Sequence, residues 1–215
     1  MTFRSSLAHR AKRALDVLGA GVGLLATSPI LLASAVAVRV TMGSPMFFSQ
    51  LRPGRHGKPF RIYKLRTMRH ADGDKVWFRS DAERLTPLGA FLRKSSIDEL
   101  PELFNVLQGN MSLVGPRPLL MEYLDKYTPE ENRRHDVLPG ITGWAQVNGR
   151  QSISFSERLR LDVWYVDNWS LALDLKILFM TVAQVFSGTD VLPGQNVDDV
   201  DDLGLSADRQ RVGAA

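Results

Sequence analysis

Positions 17–38 carry no charged side chain, in a chain of which 23% is charged, and this run limits the available folds more than any other feature. As a helix, 22 residues extend ~33 Å, enough to cross the hydrocarbon core of a bilayer. That length argues against a buried core helix. A secretory leader, with Arg10, Lys12 and Arg13 as its basic start, fits poorly because the run is long and Arg39 and a basic segment follow it.

Two details argue against a straight span. Pro29 removes a backbone donor in mid-run, and Ser28 before it can bond a freed carbonyl, which makes a break tolerable in lipid. Arg4, Arg10, Lys12 and Arg13 precede the run; Arg39, Arg52, Arg55 and Lys58 follow it. The positive-inside tendency assigns both flanks to the cytoplasm. A helix broken at Ser28-Pro29 that enters and leaves by one face satisfies both observations; a kinked spanning helix is the alternative.

The net charge of +4 conceals an asymmetry. Residues 1–69 hold 12 Lys/Arg against the single acid Asp16, and the remainder 15 against 22. A basic N-terminal third points to an anionic partner. Nucleic acid is set aside, because no nucleic-acid motif is present and the excess charge flanks an apolar run. The absence of Cys excludes disulfides, a thiolate nucleophile and thiolate-ligated metals, and the four His lack ligand spacing. A hydrophobic content of 44% excludes both a polytopic membrane protein and a disordered chain.

Residues 45–50 and 59–68 read as strands around a Pro53-Gly54 and Gly57 loop. A period of two would put Lys64 and Arg66 on one face, ~6.6 Å apart. Residues 70–84 read as a loop. Thr86 is expected to cap a helix with Pro87 at its first position. Another helix covers 100–107 and ends at Gly109. Residues 114–118 and 139–150 are rich in Pro and Gly and read as turns. Residues 156–166 and 171–186 read as helices, the latter lying in a membrane interface or in the core. Arg134 is expected to be an ordinary surface arginine, and the acidic tail to be disordered.

Asp98-Glu99 has two readings. Ser96-Ile-Asp-Glu99 has the form of a capping box, whereas Pro101 fits better as a helix start that leaves the acids in the preceding turn. Arg117 lies between Pro116 and Pro118, a stiff setting that suits bidentate phosphate binding or an ordinary turn. Arg93 and Lys94 end the Thr86 helix, where its dipole accounts for them. Together these residues supply carboxylates and phosphate-binding cations, a set suited to metal-assisted chemistry on a diphosphate.

The ordered motifs resemble the bacterial sugar transferases, the small monotopic polyprenol-phosphate phosphoglycosyl transferases. The resemblance rests on Lys12-Arg13-Ala-Leu-Asp16 before the Ser28-Pro29 run, on Phe60-Arg-Ile-Tyr-Lys-Leu-Arg-Thr-Met68, and on Ser95-Ser-Ile-Asp-Glu-Leu-Pro101. It continues through Gly115-Pro-Arg-Pro118, Pro139-Gly-Ile-Thr-Gly-Trp-Ala-Gln-Val-Asn-Gly-Arg150 and Trp164-Tyr-Val-Asp-Asn-Trp169, over about residues 10–190.

The resemblance implies transfer of a sugar-1-phosphate from a UDP-sugar to undecaprenyl phosphate. UMP would leave, and the reaction would initiate a surface glycan at the cytoplasmic face of the bacterial inner membrane. It implies Asp98 as nucleophile, Glu99 as its dyad partner, and Mg²⁺ held by Asp98 and Glu99. Lys64, Arg66, Arg93 and Arg117 would serve the phosphates, Ser28 and Pro29 the membrane break, and Lys12 and Arg13 the lipid head groups. The expected fold is α+β: a monotopic membrane protein with an N-terminal re-entrant helix-break-helix, a small β-hairpin and several helices, some interfacial and amphipathic. Residues 1–40 would be membrane-associated, 41–190 a cytosolic catalytic domain on the membrane face, and 191–215 a disordered tail. The chain is expected to be a minimal catalytic unit, and a homo-oligomer is compatible with it. The competing class is a non-enzymatic membrane-anchored module that docks on anionic lipid.

Overall fold

The computed structural model describes residues 3–69, 84–149, 153–187 and 201–204. The expected loop at 70–84 and the expected tail therefore fall mostly outside the described residues. The architecture is α+β. Helix α1 (Phe3–Met42) is followed by strands β1 (Phe47–Pro53) and β2 (Pro59–Leu65). Helices α2 (Pro87–Lys94) and α3 (Glu102–Gln108) come next, with a 3-10 turn, Ile97–Glu99, between them. Strand β3 (Ser112–Val114), the short helix α4 (Pro129–Asn132), strand β4 (Gly140–Thr142) and the short helix α5 (Trp144–Val147) lead to α6 (Phe155–Asn168) and α7 (Leu171–Ser187).

Helix α1 runs without interruption through Ser28-Pro29. Pro29 has no N–H for the carbonyl of Leu25, one turn earlier. Ser28 Oγ donates to that carbonyl at 2.8 Å, and Thr27 Oγ1 to the carbonyl of Gly23 at 2.7 Å. The expected compensation is therefore present, and the helix continues where a break was expected.

One stripe of α1 packs along the rest of the molecule. Ala20 joins Phe60, Ile62, Leu103, Val106 and Met111 in one core cluster, while Ala35 and Val38 join Leu65 and Leu92 in another. The opposite face is apolar and exposed, including Leu18, Val22, Leu25, Leu32, Val36 and Val40. Only 11% of the most apolar stretch of Leu7–Met42 is buried, which excludes a core helix. The helix is long and apolar enough to cross a membrane. Helix α7 repeats the pattern: Asp174 and Ile177 face inward, while Leu175, Phe179 and Val182 are exposed. The inward face of this helix thus belongs to the core, and its outward face is apolar and exposed.

Strands β1 and β2 form the expected antiparallel hairpin, with Phe47 opposite Leu65 and Pro53 opposite Pro59. The second strand stops at Leu65, three residues short of expectation. Beyond it Met68 bridges Leu85, and Thr67 O accepts from the Thr86 amide. The two turn-like stretches hold a feature that their composition hides: β3 and β4 pair in parallel, Ser112 with Gly140 and Val114 with Thr142. Glycine is required where they cross. A Cβ on Gly140 would lie 2.1 Å from the Gly115 nitrogen, and one on Gly115 2.3 Å from Leu138 O.

Candidate active site

The local sequence places Asp98 and Glu99 between two helices. Thr86 caps α2 as expected, accepting from the Gly89 amide at 2.9 Å. The chain then turns through Ser96 at φ 56°, which makes no side-chain cap bond, so the capping-box reading fails. Pro101 precedes the first residue of α3 instead, and Gly109 ends that helix at φ 86°. Ile97 and Leu100 anchor the intervening turn in separate core clusters. The two acids on that turn thus sit on a fixed support.

Glu99 is clamped by cations. Arg117 donates from Nη1 to Oε2 at 3.3 Å and from Nη2 to Oε1, and Lys64 Nζ lies 2.6 Å from Oε1. Although burial opposes it, the charges of Arg117 and Lys64 hold the Glu99 carboxyl well below the usual carboxylate range. Asp98 differs. It is 7% exposed, and among the described residues no donor bonds its carboxylate. Burial and the neighbouring Glu99 raise its pKa to about 6, against the pull of Lys64, Arg117 and Arg93. Two adjacent carboxylates are therefore driven apart, one locked and ionised, the other open and more basic, the separation that assigns different roles to a pair of acids.

Lys64, Arg93 and Arg117 meet around this turn, Arg93 Nε donating to Thr67 Oγ1 at 3.0 Å. Glu102 belongs to the group and was missed from sequence. Its position one helical turn after Asp98 was the available signal. Lys64 Nζ lies 3.0 Å from Glu102 Oε1, within ion-pair range but outside hydrogen-bond alignment, so that oxygen lacks a donor. Burial raises Glu102 to about 7, with Lys64 offsetting only part of the effect.

Arg66 is elsewhere. Because β2 ends at Leu65, the alternation that would have set Arg66 beside Lys64 is lost. Arg66 is buried against the C-terminus of α1, donating to Met42 O, to Gly43 O at 2.8 Å and to Ser44 O at 3.1 Å. The end of a long helix leaves carbonyls without partners, and a guanidinium satisfies several together.

Lys12 and Arg13 also turn toward protein instead of outward. Lys12 Nζ lies 2.8 Å from Asp174 Oδ2 and 3.2 Å from Asp16 Oδ1, and Arg13 donates to the Val106 and Leu107 carbonyls at 2.7 and 3.1 Å. The partly buried ammonium gains two carboxylates and the guanidinium caps α3, contacts that head groups would have to displace. Arg134, expected on the surface, is buried on Asp162. Asp202, in the tail expected to be disordered, accepts from the Ser156 amide at 3.1 Å.

No cluster of three acidic or His ligands occurs among the described residues. Magnesium needs only one or two carboxylates when substrate phosphates and water complete its shell. Asp98 is buried but has no hydrogen-bond donor among the described residues and Glu99 adjoins it, so the pair suits a magnesium diphosphate better than a resident ion. A carboxylate without a hydrogen-bond donor among three cations has the charge set that attack on a diphosphate requires.

Residues 7–188 match the bacterial sugar transferase family. The chain is 57% identical over 174 residues to an uncharacterized sugar transferase, EpsL, of Bacillus subtilis, covering 81% of this chain and 86% of that protein. It is 42% identical to the galactosyl transferase CpsE of Streptococcus agalactiae, covering 83% of this chain and 43% of that protein. It is 40% identical to the UDP-glucose:undecaprenyl-phosphate glucose-1-phosphate transferase of Escherichia coli, covering 81% of this chain. The chain spans about two-fifths of those two longer relatives, 43% and 40% of their lengths. The chain therefore belongs to the bacterial sugar transferases of the polyprenol-phosphate phosphoglycosyl transferase type.

Proposed function

We propose that this protein transfers a sugar-1-phosphate from a UDP-sugar to undecaprenyl phosphate, through a covalent intermediate on Asp98, at the cytoplasmic face of the inner membrane. The observation that carries this reading is the unengaged Asp98 carboxylate beside a Glu99 locked by Arg117 and Lys64. The names of the relatives support undecaprenyl phosphate as acceptor. They differ in the sugar, glucose in one and N-acetylgalactosamine in another, so the donor is given as a UDP-sugar.

The Asp98 carboxylate attacks the sugar-bearing phosphorus. The bond from that phosphorus to the bridging oxygen breaks, and UMP leaves with the oxygen and the electron pair. An acyl phosphate then carries the sugar. A phosphate oxygen of the lipid attacks the same phosphorus, and Asp98 departs as a carboxylate. Arg117, Arg93 and Lys64 offset the charge on the transferring group, and Glu99 orients two of them. Asp98 or Glu99 would hold Mg²⁺ together with the diphosphate, and the ion when bound would supply further charge neutralisation.

The test is UMP release from a panel of UDP-sugars, with and without undecaprenyl phosphate and Mg²⁺. Absence of UMP release with every donor would overturn the reading in favour of a lipid-docking module. The same assay yields a pH profile. Protonated Asp98 is not nucleophilic, and kcat/KM reports the free enzyme, so kcat/KM should fall on acidification through about pH 6. An acid limb near the ordinary aspartate pKa would contradict this assignment.

We further propose a re-entrant, monotopic arrangement in which α1, unbroken in its helical course, kinks at Pro29 and so enters and leaves by one face. Lys12, near one end of α1, bonds Val114 O and Asp174, while Arg66 caps the other end at Met42. The intervening residues would extend ~45 Å as a straight helix, more than the ~30 Å hydrocarbon core. A domain confined to one side cannot hold both ends of a spanning helix. Cysteines placed at Leu7 and at Ser49 in this cysteine-free chain should both be shielded from an impermeant thiol reagent outside intact cells. Labelling at position 7 alone would indicate a spanning helix.

A further inference from the structure

Arg134 and Asp162 form an ion pair that the proposed chemistry does not use. Arg134 is 2% exposed and Asp162 1%. Arg134 Nε and Nη2 lie 3.1 and 2.6 Å from Asp162 Oδ2. The same Nη2 donates to the backbone carbonyl of Arg117 at 2.7 Å. Arg134 sits in a single 3-10 turn, Arg133–His135, and Asp162 on the inner side of α6. Burying such a pair costs desolvation, and apolar replacements of similar volume are often neutral or stabilising. Stability is therefore a weak reason for keeping it, and a positional role is the better one.

The contacts of the 115–118 segment show what is positioned. The Gly115 amide donates to Thr142 O at 2.9 Å, and the Pro116 carbonyl accepts from the Gly140 amide at 3.0 Å. Pro116 and Pro118 fix their own φ and offer no N–H. The Arg117 carbonyl thus lies between a fixed strand crossing and a second proline, and Arg134 is its donor. With that carbonyl held from behind, the Arg117 guanidinium reaches forward to both oxygens of Glu99.

We infer that Arg134 and Asp162 are positioning residues for the reaction: Asp162 orients Arg134, and Arg134 holds the Arg117 peptide so that its guanidinium meets Glu99 and the diphosphate. The inference rests on the phosphoglycosyl transfer proposed above. Without the donor the Arg117 carbonyl loses its only side-chain anchor among the described residues and the stiff Pro-Arg-Pro segment can shift as a unit, and a displacement of about 1 Å at a reacting centre costs on the order of 100-fold in rate.

The experiment uses the full chain in detergent or nanodiscs and reads UMP release. Arg134→Met with Asp162→Leu removes both charges together, so no buried ion is left unpaired. The double variant should lose about 100-fold in kcat/KM, with the melting temperature nearly unchanged. In an Arg117→Ala background the same two replacements should cost less than about twofold, because their effect passes through Arg117. Asp162→Asn, which keeps the shape and loosens Arg134, is the second variant should the double one fail to fold; its smaller loss should show the same dependence on Arg117. Equal fold-losses with and without Arg117, or no loss in either background, would overturn the inference while leaving the transferase reading intact. A wild type inert toward every UDP-sugar would overturn both.

Discussion

Asp98→Asn is expected to reduce UMP release to background while leaving the protein folded. An amide has the shape of the carboxylate but is not a useful nucleophile toward phosphorus. Its effect on stability should run the other way. The folded pKa of Asp98, about 6, lies above its ordinary value of 3.8, mainly because the charge is buried. The unfolded chain therefore ionises first as pH rises, and Asp98 lowers stability progressively between those two values and keeps it lowered above them. Asparagine removes that cost, so the variant should melt at or above the wild-type temperature at neutral pH. An inactive variant that is no less stable is the mark of a site strained for function. Were Asp98 only a turn residue, asparagine would serve equally well and turnover would survive. The covalent step has its own test. Wild type incubated with a UDP-sugar labelled in the sugar, without lipid acceptor, should retain label, and mass spectrometry should locate a phosphosugar on the peptide containing Asp98. Label elsewhere, or none, would rule out this nucleophile.

Arg117→Lys should lower kcat/KM on the order of 100-fold although the charge is kept. The guanidinium bonds both oxygens of Glu99, and an ammonium cannot reproduce that fork. The burial that tends to raise the pKa of Glu99 would then be opposed less strongly. The control is Arg160→Lys, on the exposed side of α6, where Arg160 pairs with Glu157 one turn away and such surface pairs contribute little. Arg134→Lys is not a control, since Arg134 is buried and supports the Arg117 backbone. Comparable losses at 117 and 160 would reduce Arg117 to a turn residue.

Features governed by neighbours along the chain were legible in the sequence. The charge-free run forms the long helix, apolar over a length sufficient to cross a membrane. Ser28 could be matched to the carbonyl freed by Pro29, because both lie within one turn. The cap at Thr86, the helix stop at Gly109 and the hairpin were equally local. Asp98, Glu99, Lys64, Arg93 and Arg117 are all recognisable as candidates in the sequence, and they converge.

Tertiary structure decided which cations belong with them. Arg66 left the set because β2 ends one residue before it, and its guanidinium bonds the carbonyl of Met42 at the end of α1 and those of Gly43 and Ser44 just beyond it. Lys12 has Asp16 four positions on, within reach of helical periodicity, but its second carboxylate and the carbonyls that Arg13 meets lie about a hundred positions or more further along the chain, distances at which periodicity carries no information. Strands of three residues, paired in parallel between Pro- and Gly-rich stretches, are too short to leave an alternation. Sequence thus determined the long apolar helix and the chemistry at hand, both products of local composition. Folding alone determined that Glu99 is locked while Asp98 stays open, because that difference comes from burial and from charges delivered by three separate elements.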